Sequence, residues 1–376
     1  MKLYVVAGEI SGDSRGAELI RALRQLAPSV EFSGAGGKEM RALTDGAVCD
    51  WADEAVVGLW DVLKKYGYFK AQFDRILAEI ESLAPKALIL IDYPGFNLRL
   101  AKAVRARLPG IRIIFYISPQ VWAWNRGRIP KMAGWLDLML CIFPFEQPLY
   151  EASGLKAIFV GHPMLDTLAS KVIGEIRDSQ LVGLFPGSRL KEVRRIFPVM
   201  LETAKCIKAA DPKIRFEAAA ASDAVASLMR DLTLIAGFTH EQCPVVVGSS
   251  HSLMQRSAVG MVASGTATLE AAYFSMPLVI LYKVAWLTWV IGKQLVKVDF
   301  LGMPNLLAGH EIAREFLQYA ARPEPIAEQV LYLLHDEPAR KQATSDLAAI
   351  IQGLGAPGAG LRAATAVCTE LGLIEA

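Results

Sequence analysis

Two stretches of this chain, one at the N-terminus and one just before the middle, share a single pattern. Residues 2–8 (KLYVVAG) and 181–189 (LVGLFPGSR) are apolar runs that reach a glycine-containing loop and continue into a helical segment. After each of them, apolar runs of strand length alternate with helical patterns. Such alternation predicts a mostly parallel sheet with helices on both faces. The chain is therefore expected to be an α/β protein with two doubly wound, Rossmann-like domains.

The length of the chain and the point where the pattern restarts predict the domain boundaries. The 376 residues fit two domains of about 150–190 residues each. We predict an N-terminal domain over 1–172, a C-terminal domain over 173–352 and a helical tail over 353–376. Ligands bind at the carboxyl ends of strands in open α/β sheets. A cleft across which the two domains face each other is the expected place for chemistry.

Composition and charge exclude several classes of protein. Apolar residues at 53% and charged residues at 21% are typical of a well-packed soluble protein. The net charge of +2 argues against a nucleic-acid partner, which needs a strong basic excess. The N-terminus enters a strand-like run and reaches an acid within nine residues, so no signal peptide is expected. The apolar run over 277–293 is interrupted by Lys283 and is too short to predict a membrane span.

Cysteine and histidine spacing predicts no metal site. The five cysteines, at 49, 141, 206, 243 and 368, are odd in number and form no CxxC pair. They are expected to be reduced thiols, mostly in the core. The five histidines show no metal-ligand spacing either.

Two loops of the C-terminal domain carry residues suited to a nucleotide diphosphate. In the first, Gly187 lets the backbone approach a ligand, Ser188 can cap the helix and Arg189 offers a forked charge to phosphate oxygens. The second loop offers small and hydroxyl residues to a phosphate and then a carboxylate to a ribose diol: Ser264, Gly265, Thr266, Thr268 and Glu270. The alternative for the first loop is an ordinary strand-to-helix turn with Arg189 on the surface, and for the second it is a capped helix with a solvated Glu270.

Asp92 is the candidate general base of the N-terminal domain. It follows an apolar run at the end of a predicted strand, where a carboxylate is costly to bury unless a partner or a function retains it. A structural Asx turn before Pro94 is the alternative.

Two aromatic and basic stretches of the N-terminal domain suit an amphiphilic ligand. Residues 116–132 place Gln120, Trp122 and Trp124 beside several cations, which fits an anionic, partly apolar ligand or a packed loop with a solvated rim. Residues 57–73, which include Trp60, mix aromatic and lysine residues as an interfacial helix does, although a core-facing helix fits as well.

Eight motifs, taken together and in order, resemble the lipid-A-disaccharide synthase family, a family-19 glycosyltransferase of bacteria that build an outer membrane. The resemblance extends from residue 3 to about residue 320. The motifs are GEISGD (8–13), IDYPGFN (91–97), SPQVWAW (118–124), FPFE (143–146), VGHP (160–163), PGSR (186–189), SGTATLE (264–270) and PNLLAG (304–309).

This resemblance implies a glycosyltransferase B type fold and a hexosyltransferase reaction. The family transfers 2,3-diacylglucosamine from UDP, with inversion, to the 6-hydroxyl of 2,3-diacylglucosamine 1-phosphate, which gives the β-1,6 lipid A disaccharide 1-phosphate and UDP. Its essential acid corresponds to Asp92 and its essential arginine to Arg189, while the SGTATLE segment and Asn305 fall where the family contacts UDP. Gly95 departs from the family, which often has a second Asp there.

The first loop then belongs to the acceptor domain. Gly8 and Gly12 are expected to make room for a sugar and for the backbone, and Ser11 is a further candidate acceptor contact, while Glu9 and Asp13 orient sugar hydroxyls or the helix start. Either acid is an alternative base if Asp92 is not the base.

The resemblance also implies where the protein works and with which partners. Substrates with long acyl chains favour a cytoplasmic protein that associates peripherally with the inner membrane, with the helical tail packing back on the N-terminal domain. No cofactor or metal is expected, because no DxD pair is placed to hold a divalent ion. Whether the chain forms a homodimer stays open.

Two other functions are compatible with these residues. One is a different B-type enzyme, such as a UDP-sugar 2-epimerase, and the other is a non-catalytic nucleotide-sugar or lipid-binding protein.

Overall fold

The chain forms two compact units. A computed structural model describes residues 1–45, 48–50, 66–174, 176–286, 289 and 298–375. Unit 1 contains residues 1–163 and 354–376, and unit 2 contains residues 164–353. The first division therefore falls at Pro163 rather than at the predicted residue 172, because the next helix, Met164–Ala169, buries Leu168 in the core of unit 2.

Unit 1 is built on a parallel sheet. Its strands in the described residues are β1 Lys2–Ala7, β2 Glu31–Gly36, β3 Val48–Asp50, β4 Ala87–Ile91, β5 Arg112–Tyr116, β6 Leu138–Cys141 and β7 Ala157–Phe159. They pair in the order β3-β2-β1-β4-β5-β6-β7. The helices between them are α1 Ile10–Leu26, α2 Lys38–Arg41, α3 Tyr66–Leu83, α4 Pro94–Arg107, α5 Val121–Trp124, α6 Ile129–Ala133 and α7 Glu146–Glu151. All five residues of β4 are buried, as expected of a sheet covered on both faces.

Unit 2 repeats this design. Its strands are β8 Asp178–Phe185, β9 Arg215–Ala220, β10 Val245–Val247, β11 Ser257–Ala263, β12 Leu278–Tyr282 and β13 Glu315–Leu317, in the order β10-β9-β8-β11-β12-β13. Its helices are α8 Met164–Ala169, α9 Leu190–Ala210, α10 Asp223–Ile235, α11 Ser250–Arg256, α12 Thr266–Tyr273, α13 Met303–Ala308, α14 Pro323–His335 and α15 Glu337–Gly353. Met261 and Val262, neighbours on β11, belong to two different core clusters, so both faces of this sheet are covered.

The tail of the chain belongs to unit 1. Its helix, α16 Ala359–Glu370, packs against α1. The guanidinium Nε of Arg362 donates to the carbonyl of Val160 at 2.7 Å, and Lys156 pairs with Glu370 at 2.7 Å. These contacts join the two separate segments of unit 1.

Each sheet has one point at which the strand order reverses. In unit 1 it lies between β1 and β4, which pair in parallel with Ala7 opposite Ile91. In unit 2 it lies between β8 and β11, where Phe185 pairs with Val262. Because paired strands end at the same level, the loops that follow them diverge from one another and leave a crevice.

Two further sequence predictions concern cysteines and membrane spans. Cys141, Cys206, Cys243 and Cys368 are free thiols, and all but Cys206 are buried. Among the described residues, every helix is too short or too polar to span a bilayer.

Candidate active site

The crevice of unit 1 brings two carboxylates together. Glu9 follows β1 and Asp92 follows β4, and the pairing of Ala7 with Ile91 brings both residues to the same edge of the sheet. Burial and the nearby charge of Glu9 raise the pKa of Asp92 to about 6, although the backbone N–H of Tyr93 opposes them. Two carboxyl groups whose environments differ are the arrangement from which general bases are made.

A strained turn presents Asp92. Asp92 and Tyr93 both have φ near +47°, a conformation that an Asp tolerates but a bulky aromatic residue adopts only at a cost of about 1–3 kcal/mol. The side chain of Asn97, fully buried, donates to the carbonyls of Ile91 and Asp92 at 3.1 and 2.8 Å and holds the turn. The alternative Asx turn does not form, because it needs an N–H at Pro94, which has none.

The two glycines of the first loop serve packing. A Cβ atom on Gly8 would collide with the ring of Tyr93, and Gly12 lies buried against Ala7 of β1. The close approach of the chain that the two glycines permit is thus present, and the predicted contact with a sugar stays a prediction. Ser11 is exposed beside them and stays a candidate acceptor contact.

Asp13 has a structural role. It is 5% exposed, and its carboxylate accepts hydrogen bonds from the backbone N–H groups of Gly37, Glu39 and Met40 at 2.7, 2.9 and 3.1 Å. It thereby caps α2 from another part of the chain. Because the backbone already uses both carboxylate oxygens, the structure contradicts Asp13 as an alternative base and leaves Glu9.

The loop after β5 is held in place by a buried hydrogen bond. Trp122 is 4% exposed, and its indole N–H donates to Glu146 at 2.9 Å, so the predicted ligand contact at Trp122 is replaced by an internal one. Burial raises the pKa of Glu146 to about 7, although the hydrogen bonds from the Trp122 indole and from the N–H groups of Phe143 and Ile142 lower it. Gln120 and Trp124 are exposed on the same loop, and the Arg128 guanidinium lies 5.9 Å from the ring of Trp124.

The aromatic stretch over 57–73 is described only in part. Trp60 lies outside the described residues. Phe69 and Phe73, on α3, pack against the core of unit 1. This portion of the helix therefore faces protein, as the core-facing alternative expects.

In unit 2, the loop between β8 and α9 exposes its arginine, Arg189, to solvent. Gly187 has φ +105°, which favours glycine, and α9 begins at Leu190 with Arg189 as its N-cap. Ser188 and Arg189 are both exposed. Ser188 lies one residue before the N-cap, so the prediction that it caps the helix is wrong. A long helix with a guanidinium at its N-terminus can hold an anion.

The loop between β11 and α12 lies across the same crevice of unit 2. Gly265 and Thr266 are exposed where α12 begins, and Gly265 is its N-cap. Two hydroxyls serve the loop itself, since Ser264 Oγ donates to the carbonyl of Leu301 at 3.0 Å and Thr268 Oγ1 to that of Gly265 at 2.7 Å. The exposed positions are thus the ones available to a phosphate, and the buried Thr268 shapes the turn.

Glu270 has a neighbour that the sequence did not indicate. His251 Nε2, on α11, lies 3.4 Å from Glu270 Oε2. The His251 ring also packs on Phe274, with centroids 5.8 Å apart. Both His251 and Glu270 are partly exposed, so the carboxylate is still accessible to a ribose diol.

Asn305 does not face a ligand. It is fully buried, donates to the carbonyl of Ala313 at 2.6 Å and to Glu315 at 2.9 Å, and accepts from the N–H groups of Ile312 and Ala313. All four hydrogen-bonding positions of its amide are filled. The predicted UDP contact at Asn305 is therefore contradicted, and the residue fixes the loop before β13.

Sequence reasoning missed the acids that hold these loops in place. Glu315 accepts from the N–H groups of Leu301 and Gly302 at 3.0 and 2.9 Å, and Glu146 anchors the loop after β5. The FPFE motif contains Glu146, but no signal in the sequence shows that this acid points inward. In the described part of the chain, no group of three or more His, Cys, Asp or Glu side chains is arranged to hold a metal ion.

Comparison with solved structures supports the architecture. The chain is similar to UDP-GlcNAc 2-epimerase from Neisseria meningitidis bound to UDP-GlcNAc, with TM-score 0.58, 11% identity, and coverage of 99% of this chain and 100% of the other. It is also similar to the glycotransferase of kitacinnamycin, with TM-score 0.59, 16% identity, and coverage of 97% and 98%. At these identities the likeness concerns the fold alone.

Sequence comparison reaches further. The family model described as lipid-A-disaccharide synthetase matches residues 3–360. The lipid-A-disaccharide synthase of Trichlorobacter lovleyi is 40% identical over 373 residues, covering 96% of each chain. That of Syntrophus aciditrophicus is 38% identical over 375 residues, covering 98% of this chain and 97% of the relative.

Two doubly wound units, each with polar loops at its point of strand reversal, define the two-Rossmann-domain fold of the glycosyltransferase B type. The predictions of fold class and of a glycosyltransferase are confirmed. The chain belongs to the lipid-A-disaccharide synthetase family.

Proposed function

We propose that the chain joins UDP-2,3-diacylglucosamine to 2,3-diacylglucosamine 1-phosphate with inversion, and that Asp92 is the general base. Family membership over nearly the whole chain supports the substrates. The observation that carries the base is the partly buried carboxylate of Asp92 on its strained turn, with a pKa raised to about 6. A base with a pKa near the working pH combines a large deprotonated fraction with sufficient proton affinity.

The proposed step is a single displacement. The 6-hydroxyl oxygen of the acceptor forms a bond to the anomeric carbon and gives its proton to Asp92. The bond from that carbon to the diphosphate oxygen breaks, and its electron pair leaves with UDP. The sugar passes through an oxocarbenium-like state, as in glycoside hydrolysis. Burial, and after it the charge of Glu9, raises the pKa of Asp92 and so favours its acceptance of this proton.

Unit 2 is proposed to bind UDP without a metal. The exposed Arg189 and the N-terminus of the 21-residue α9 offer positive charge to the diphosphate, together with the N-terminus of α12 at exposed Thr266. Glu270 is proposed to accept hydrogen bonds from the ribose diol. These groups stabilise the charge that develops on the leaving UDP.

A direct assay tests both proposals. Purified protein incubated with the two glycolipids in excess EDTA is expected to form the disaccharide 1-phosphate and an equal amount of UDP. Mass spectrometry measures the disaccharide, and a coupled assay measures UDP.

Omission of the acceptor is the control. UDP release that is independent of the acceptor contradicts the transferase proposal and favours an epimerase. Product formation that needs added magnesium contradicts the metal-independent step alone.

We also propose that unit 1 associates with the cytoplasmic face of the inner membrane. The acyl chains of both proposed substrates and the mixture of Trp60 with Lys64 and Lys65 in the sequence support it. Trp60→Glu is expected to weaken binding to anionic liposomes about thirtyfold, since burial of a large apolar side chain contributes about 2 kcal/mol. Sedimentation with liposomes measures the binding.

Tyr332→Glu, an exposed aromatic on α14 of unit 2, is the matched control and is expected to bind as the parent does. UDP affinity should stay unchanged in both variants. Equal loss of liposome and UDP binding in Trp60→Glu would indicate misfolding, and unchanged liposome binding would contradict the membrane proposal.

A further inference from the structure

The carboxylate of Glu192 folds back over the loop between β8 and α9. Glu192 lies in the first turn of α9, and a Cβ atom on Gly187 would collide with its Oε2 and Cδ atoms. The space beside Gly187 is therefore filled by a side chain of the loop's own helix. Gly187, with φ +105°, is the residue that permits this close approach.

The loop offers Glu192 the groups that attract anions. The charge of Arg189 and the backbone N–H groups of Arg189 and Ser188 all lower the pKa of Glu192, while burial raises it by more. Tyr282, at the end of β12, is close enough to be affected by this carboxylate: burial and then the charge of Glu192 raise the pKa of Tyr282. Glu192 is thus a partly buried carboxylate that lies against Gly187, close enough to the N-terminus of α9 for Arg189 and two backbone N–H groups to favour its charged form.

A diphosphate at this loop would need the same donors. Phosphate oxygens bind to the amide groups at a helix N-terminus and to a guanidinium in the same manner as carboxylate oxygens. The two anions repel each other if both stay, and the partly buried position of Glu192 limits screening by solvent. One of them must therefore leave.

We propose that Glu192 is an internal competitor for the diphosphate of UDP, which displaces it from Ser188 and Arg189 on binding. This inference rests on the proposed function, since it assumes that the loop binds UDP. It assigns to Glu192 a role in setting the affinity for the nucleotide: the side chain weakens UDP binding, and its return to the amide groups assists the release of UDP as a product.

Glu192→Gln tests the inference, because it keeps the shape of the side chain and removes its charge. UDP is expected to bind about five- to tenfold more tightly to the variant, as measured by calorimetry, since a like charge is removed at close range. Uridine, which has no phosphate, is expected to bind equally to both proteins. Glu202→Gln, the same change at an exposed position of α9, should leave both affinities as they are.

Glu192→Ala is the second variant, because a glutamine amide oxygen can still accept a hydrogen bond from the loop. It should also tighten UDP binding. Equal or weaker UDP binding by Glu192→Gln, with uridine binding retained, overturns the inference and shows that Glu192 supports the loop instead. A parent protein that binds no UDP overturns the proposed function itself.

Discussion

Replacement of Asp92 by Asn is expected to lower kcat about 10²- to 10⁴-fold while UDP binds as before. The amide keeps the shape of the carboxylate but cannot accept the proton of the acceptor hydroxyl. The melting temperature should be equal or higher, because the variant no longer holds a carboxylate that burial and Glu9 destabilise. Steady-state kinetics, UDP calorimetry and a thermal melt together make the measurement.

The pH profile gives an independent test of the same assignment. Because the base must be deprotonated, kcat/KM is expected to fall below the pKa of Asp92, about 6. Glu9→Gln removes a like charge that raises this pKa, so the acidic limb should move to lower pH with a smaller loss of turnover. If Glu9→Gln loses more turnover than Asp92→Asn, Glu9 is the base and the assignment is wrong.

Asp92 shows most clearly which features of the site could be predicted from the sequence. An apolar run followed by an acid predicts a buried strand with a carboxylate at its end, and both β4 and the position of Asp92 agree. Its raised pKa was not predictable in this way. It depends first on how deeply the folded unit buries the carboxylate, and then on Glu9, which lies far away in sequence and is brought near by the pairing of β1 with β4.

Asp13, Asn305 and Trp122 show why the rest of the site could not be predicted. Each is a polar or aromatic residue in a loop that resembles a binding motif, and each forms hydrogen bonds inside its own unit. Residue type and spacing do not tell whether a side chain points to a ligand or to the backbone of a neighbouring loop. Such residues position the site, since the buried polar groups they satisfy would otherwise cost about 1–3 kcal/mol each.

The domain boundary illustrates the same limit for the fold. The restart of the strand pattern predicted two units correctly, but the helical segment before β8 gave no sign of which unit it joins. Leu168 decides the matter by packing with the core of unit 2, a contact between residues distant in sequence.

Replacement of Arg189 by Ala is expected to lower kcat/KM about 10²- to 10³-fold and to weaken UDP binding, since the guanidinium is proposed to stabilise the departing diphosphate. Arg189→Lys should recover only part of the loss, because a lysine retains the charge without the forked pair of donors. Arg194→Ala, at an exposed arginine on the same helix α9, is the matched control and should behave as the parent does.

The removal of Arg189 also frees Glu192 from a cation that lowers its pKa, so Arg189→Ala combined with Glu192→Gln should bind UDP more tightly than Arg189→Ala alone. Full activity of Arg189→Ala would show that the diphosphate leaves from elsewhere, and a double variant no tighter than the single one would separate Glu192 from the phosphate site.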